Sequence, residues 1–374
     1  MALKVLMVGG RRCGKTSVLA ALFDQMTNGV VNQFFTVCDG TAYVTKENEK
    51  QDVLSTKSLE LQNLLDNPTN NTFLVDEKPT NFAWKYSLKL QLPGTSKSMT
   101  MDFLDVPGEY WQASMHDKEI INFVGESDVY IVAIDTPYLM AEGASPVVFK
   151  AMNCITDIHG FLSNIDDSNG TKSKMVIFVP VKCETWVKEH GSTERLVQAV
   201  EHAYSAMIRA LLPYPKMSVC IMPVQTAGNI LFSEMKDAFV LNGGERRNRC
   251  CKVSESMVRM WNGQFCPLKP DDKLNLDNDA MITGTNIVRP YSWFHINDNA
   301  TGDLYQPYNC EQLPLHILNF WLQKYKHEFD LWNYIKMVFG GISASDLQKK
   351  LKQIQDSGLI KENMEGIRYL KKAY

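Results

Sequence analysis

The chain has 374 residues, 45% hydrophobic and 22% charged, so it carries the apolar material for a full core. That length suits two or three units of ordinary size, or one α/β domain with insertions. A net charge of −3 and an isoelectric point of about 6.2 argue against a broad nucleic-acid surface, and no direct nucleic-acid partner is expected.

Residues 1–8 run straight into a glycine loop without the pattern of a signal peptide. No apolar stretch approaches the ~20 residues that a membrane-spanning helix needs. The nine cysteines show neither a disulfide framework nor a zinc-like spacing with histidine. Reduced thiols in a cytoplasmic protein are the expectation.

Residues 3–8 read as a short apolar strand, and residues 15–26 as a helix through Val18, Leu19, Leu22 and Phe23. Residues 27–82 are rich in Asn, Thr and Asp, and their length marks an insertion. Residues 84–92 alternate as a half-buried strand does, residues 93–96 turn, and residues 99–104 return as the next strand. Residues 129–134, 175–181 and 219–224 are apolar runs of buried-strand length, separated by helical patterns at 147–162 and 193–212. A second insertion spans 230–301, with a basic run at Arg246, Arg247 and Arg249 and one more strand at 290–296. Residues 313–325 form an apolar helix that closes the domain. Beyond it, 327–374 reads as a separable helical C-terminal extension, with capping-box spacing at Ser345 and Gln348 and a stop at Gly358. The alternation of strands and helices predicts a mostly parallel sheet covered by helices, over residues 1–326.

Gly9-Gly10-Arg11-Arg12-Cys13-Gly14-Lys15-Thr16 matches G-x-x-x-x-G-K-[ST] and stands after a strand and before a helix, as that motif requires. Its glycines let backbone N–H groups turn in around a phosphate, with the positive end of the next helix behind them. Lys15 is placed to reach the β- and γ-phosphates and Thr16 to ligate Mg²⁺, with Ser17 next to it in the phosphate-facing set. Arg11 and Arg12 lie inside the loop and are further phosphate candidates.

Asp102-Phe103-Leu104-Asp105-Val106-Pro107-Gly108-Glu109 ends the third strand. A phosphate loop needs a second acidic group at a neighbouring strand end for its Mg²⁺ shell, and Asp105 is so placed. Gly108 lets the backbone approach a γ-phosphate, so its loop can differ between tri- and diphosphate states.

The spacing of these two motifs resembles the Ras-like, translation-factor-related branch of P-loop GTPases. The resemblance implies a P-loop NTPase sheet with helices on both faces, GTP or GDP as ligand, and Mg²⁺. Phe178-Val179-Pro180-Val181-Lys182-Cys183-Glu184 falls where the family has Asn-Lys-x-Asp: Lys182 is kept, Glu184 stands for the base-reading Asp, and Val181 stands for the Asn. Thr226 and Ala227 resemble the family's Ser-Ala loop, whose alanine N–H touches the guanine oxygen. Glu109 occupies the position of the water-orienting Gln, and Thr80 is the candidate threonine of the first switch. With Lys15, these are the candidate catalytic residues. The long insertions and the two base loops look most like the bacterial double-GTPase-type proteins of predicted defence or conflict operons.

The expected function is a nucleotide-controlled switch for a protein effector or regulator, with slow Mg²⁺-dependent GTP hydrolysis. Arg246, Arg247 and Arg249 are candidates for an arginine finger in cis. A small-molecule phosphotransferase remains open, because residues 245–249 resemble an arginine-rich lid. So does a non-hydrolysing binding module, because Glu109, Val181 and Glu184 depart from the family pattern.

Overall fold

The computed structural model describes residues 3–10, 13–39, 45–46, 49–50, 83–94, 98–108, 118–142, 146–163, 172–188, 193–241, 249–252, 258–261, 264–267, 288–299, 305–328, 349 and 352–373. Its strands are β1 (Leu3–Val8), β2 (Thr36–Asp39), β3 (Thr45–Lys46), β4 (Glu49–Lys50), β5 (Trp84–Gln91), β6 (Ser98–Asp105), β7 (Val129–Asp135), β8 (Lys174–Val181), β9 (Met217–Ile221), β10 (Ile230–Leu241), β11 (Arg249–Lys252), β12 (Val258–Trp261), β13 (Gln264–Pro267), β14 (Val288–Ile296) and β15 (Arg368–Lys371). Eight of them form the central sheet, in the order β15-β9-β8-β7-β1-β6-β5-β2. The interior strands β6, β1, β7, β8 and β9 are parallel. β5, β2 and β15 add to the two sides antiparallel.

This mostly parallel α/β arrangement is compatible with a P-loop NTPase-like fold. Its interior strands are buried on both faces, which is why β7 and β8 read as unbroken apolar runs. β5 covers one face only and alternates. The helices are α1 (Lys15–Asn28), α2 (Lys118–Glu126), α3 (Thr136–Met140), α4 (Pro146–Met152), α5 (Ile155–Ser163), α6 (Glu184–Lys188), α7 (Thr193–Ala203), α8 (Ser205–Leu211) and α9 (Gln312–Glu328). α1 and α9 pack with Val5 and Met7 of β1 on one face. α2, α5, α7 and α8 pack with Leu6 and Val8 on the other. The period-two alternation of β1 thus splits one strand between two cores. None of the helices among the described residues is long and apolar enough to cross a membrane.

The structure redraws several boundaries. Residues 36–39, inside the first expected insertion, belong to the central sheet through β2. The helical patterns at 147–162 and 193–212 are each broken in two, the first where Cys154 takes φ 49°, the second at Tyr204. The second insertion holds a three-stranded sheet, β11-β10-β14, and the β12–β13 pair. β10 escaped the sequence reading because a bulge between Phe232 and Glu234 breaks its alternation.

The described part of the C-terminal segment is built into the domain. β15 pairs with β9, and Ile354 and Ile367 join the core around α9. The Gln312 side-chain amide donates to Leu359 O at 2.9 Å and accepts from Lys361 N at 3.0 Å. Arg368 forms ion pairs with Glu194 and Glu201 of α7.

Candidate functional site

β1 stands where the strand order reverses, with β6 on one side and β7 on the other, and open α/β sheets bind ligands outside the carboxyl strand ends at such a point. The glycine loop leaves β1 there and enters α1. Gly9 and Gly14 have φ of 157° and 96°, and Gly14 is the N-cap of α1. A Cβ on Gly10 would come within 1.8 Å of Met152 O, so the loop also needs glycine to pass under α4. α1 has no acidic residue in its first turn, which leaves its positive end uncompensated by its own side chains.

Lys15 is buried and its ammonium donates back to Gly9 O at 3.2 Å and Gly10 O at 2.9 Å. Thr16 Oγ1 donates to Asp105 Oδ2 at 2.7 Å. Asp105 is fully buried at the end of β6, in register with Met7 of β1. Ser17 lies in the first turn of α1, and Gly108 is buried just beyond β6. Burial pushes the Cys13 thiol up to about 11, so this loop cysteine is a neutral packing group against Gly9.

The end of β8 lies against the loop. A Cβ on Gly14 would stand 3.6 Å from Val181 Cγ2 and 4.0 Å from Lys182 Cε. Lys182 adopts φ 56°, a left-handed conformation rare outside glycine, and its ammonium lies 2.8 Å from Asp135 Oδ2 at the end of β7. Asp135 N in turn donates to Asn153 Oδ1 at 2.8 Å. The sequence reading passed over Asp135 and Asn153. The signal for Asp135 was a carboxylate directly after a buried run at a carboxyl strand end.

Glu184 opens α6 and is 3% exposed. Its Oε1 accepts from the N–H groups of Ala227 at 3.3 Å and Gly228 at 3.4 Å. Burial raises its carboxyl above the usual range, against the pull of those amides and of Lys188. The two groups to which the resemblance gives contacts with a base therefore contact each other. Thr226 is buried beside them.

The structure thus brings together Gly9, Gly10, Cys13, Gly14, Lys15, Thr16 and Asp105, and places Lys182, Glu184 and Ala227 in a second cluster joined through Gly14. Arg11, Arg12, Thr80, Glu109, Arg246, Arg247 and the side chain of Arg249 lie outside the described residues. Among the described residues no group of three or more His, Cys, Asp or Glu is arranged to hold a metal ion. A hydroxyl and a carboxylate at 2.7 Å are nevertheless the hard oxygen donors that suit Mg²⁺, which usually keeps several of its waters. Comparison with protein-family models and with curated proteins finds no match.

Proposed function

We propose that the protein binds a Mg²⁺-nucleoside triphosphate at residues 9–16 and acts as a nucleotide-controlled switch for a protein partner, with GTP as the nucleotide and slow hydrolysis. The observation that carries this reading is the Thr16–Asp105 hydrogen bond, which joins the phosphate-loop hydroxyl to a buried carboxylate on the neighbouring strand. The resemblance to Ras-like P-loop GTPases supports the choice of GTP.

In this reading the ammonium of Lys15 exchanges the carbonyls of Gly9 and Gly10 for phosphate oxygens and neutralises their charge. The N–H groups at the start of α1 face the same anion. Thr16 and Asp105 would hold Mg²⁺, which when bound neutralises the phosphates. Lys182, pinned to Asp135, keeps its aliphatic stem beside Gly14, where a base would lie beyond the phosphates.

The test is GTP affinity with Mg²⁺ and with chelator, in wild type and in Thr16→Val. Wild type is expected to bind at least ~10-fold tighter with Mg²⁺, and the variant to lose that difference. Tight binding that ignores both Mg²⁺ and the substitution would overturn the proposal.

A further inference from the structure

α6 grips the segment 227–232 at four points. Glu184 Oε1 takes the amides of Ala227 and Gly228. Lys188 Nζ donates to Asn229 Oδ1 at 3.0 Å, and Thr185 Oγ1 accepts from Phe232 N at 2.6 Å. The rings of Trp186 and Phe232 lie 5.2 Å apart. A helix of five residues thus sets three polar side chains on one short segment, two on its backbone N–H groups and one on the Asn229 side chain.

The other side of this stretch is held as firmly. Gln225 and Tyr308 exchange both backbone hydrogen bonds at 2.9 Å, and Gln306 N donates to Ala227 O at 2.9 Å. Gly228, with φ 87°, passes so close that a Cβ would come within 1.9 Å of Gln306 O. Tyr308 is itself fixed by the C-terminal segment: its hydroxyl donates to Glu365, and the Lys361 ammonium lies 4.9 Å from its ring centre.

Two successive amides, one of them from a left-handed residue, make a concavity for an anion. Here a side chain of the protein fills it. A carboxylate that is 3% exposed keeps its charge only while such donors face it, so moving Glu184 out to meet a base would strip both the carboxylate and the two amides of their partners.

We infer that Glu184 is a positioning residue, which fixes the 225–228 loop against residues 305–308 and acts on bound nucleotide through that loop and not by contact with the base. The inference rests on the nucleotide site proposed above and changes the role that the resemblance assigns to Glu184. A side chain that reads guanine must be an acceptor toward two donors, the ring N–H and the exocyclic amine, which an amide cannot match. A side chain that holds backbone N–H groups needs only one acceptor oxygen, which Gln supplies.

The experiment compares GTP and ATP affinities of wild type, Glu184→Gln, Glu184→Ala and Gly228→Ala, with Lys15→Ala as the phosphate-loop control and thermal melts to monitor folding. Glu184→Gln is expected to stay within ~3-fold of wild type for GTP and to keep its GTP-to-ATP ratio. Glu184→Ala and Gly228→Ala, which loosen the loop from opposite sides, are expected to lose at least ~10-fold. Hydrogen exchange on the wild-type protein is independent of any variant's folding, and slow exchange at Ala227 and Gly228 is expected. The inference is overturned if Glu184→Gln loses GTP as badly as Glu184→Ala, if Glu184→Ala binds like wild type, or if those two amides exchange freely. Wild type that binds neither nucleotide overturns the proposed function, and the inference with it.

Discussion

Lys182 and Asp135 form an ion pair across the ends of two adjacent parallel strands, 2.8 Å apart, although 47 residues separate them in the chain. Asp135 is opposite Val181 in the β7–β8 register, so Lys182, the next residue, must turn back to meet it. The left-handed φ of 56° is that turn. The pair ties the ends of β7 and β8 together beside the glycine loop, because Lys182 also lies close to Gly14.

Removing Lys182 takes a charge partner away from the buried Asp135 carboxylate. Lys182→Met is therefore expected to cost about 2–3 kcal/mol at neutral pH, toward the lower end for a buried pair because the lysine side chain keeps some exposure. Urea unfolding measures it. A cost below ~0.5 kcal/mol would show that the pair behaves like an exposed surface bridge.

Lys15→Ala is expected to weaken nucleotide binding at least ~100-fold, about 2.7 kcal/mol, because in the proposed reading Lys15 is the charge that meets the phosphates. Its hydrogen bonds to Gly9 O and Gly10 O are local to the loop, so the cooperative melt should survive. Calorimetry with GTP and a circular-dichroism melt decide both halves. A folded variant with unchanged affinity sinks the phosphate-loop assignment.

The parts legible in the sequence are those fixed by local pattern. β7 and β8 announce themselves because burial on both faces demands an unbroken apolar run, and β1 shows as an apolar stretch interrupted only by Lys4. The glycine loop is equally legible, since glycines, Lys15 and Thr16 are contiguous. The role of Glu184 was not, because its partners lie 43 and 44 residues away and only the fold brings them to it. β15 was missed for another reason. Arg368-Tyr369-Leu370-Lys371 is an edge strand whose charges suit solvent, and its pairing is set by β9 and α7.

GTP is expected to bind at least ~10-fold tighter than ATP, a difference of about 1.4 kcal/mol. The expectation comes from the resemblance, which implies that Lys182 and the Thr226-Ala227 loop meet a guanine base. Paired calorimetric titrations with the two nucleotides test it. Equal affinities would mean that the clasped loop does not discriminate.

His316 supplies a pH dependence of stability. Its Nε2 faces Lys361 O at 3.1 Å, and a carbonyl only accepts, so Nε2 carries the proton and Nδ1 accepts from Tyr369 OH at 2.7 Å. Burial lowers its pKa from 6.5 to about 4, with Glu362 favouring and Lys372 opposing the charged form. The unfolded chain takes up the proton near 6.5 and the folded chain only near 4, so stability present above 6.5 is lost as pH falls toward 4. The loss is expected to reach about 3 kcal/mol, and His316→Leu should flatten that part of the profile. Denaturation midpoints from pH 7 to 4 measure it. An unchanged slope in the variant would assign the pH dependence to other groups.

In the proposed reading, turnover depends on Glu109, which stands where the resemblance places a water-orienting amide. A carboxylate there adds negative charge beside a γ-phosphate whose transition state is already anionic, and so stabilises it little. The isolated protein is therefore expected to hydrolyse GTP on the order of 10⁻³ s⁻¹ or slower, as unassisted GTPases do. Glu109→Gln should raise the rate, because an amide orients water without that repulsion. The missing positive charge would come from a partner or from Arg246, Arg247 and Arg249. Single-turnover phosphate release separates these routes. A basal rate unchanged by alanine at all three arginines excludes the finger in cis and leaves the partner. A wild-type rate near ~1 s⁻¹ would replace the slow switch with a self-sufficient hydrolase, since that speed needs a complete set of charge-stabilising groups within one chain.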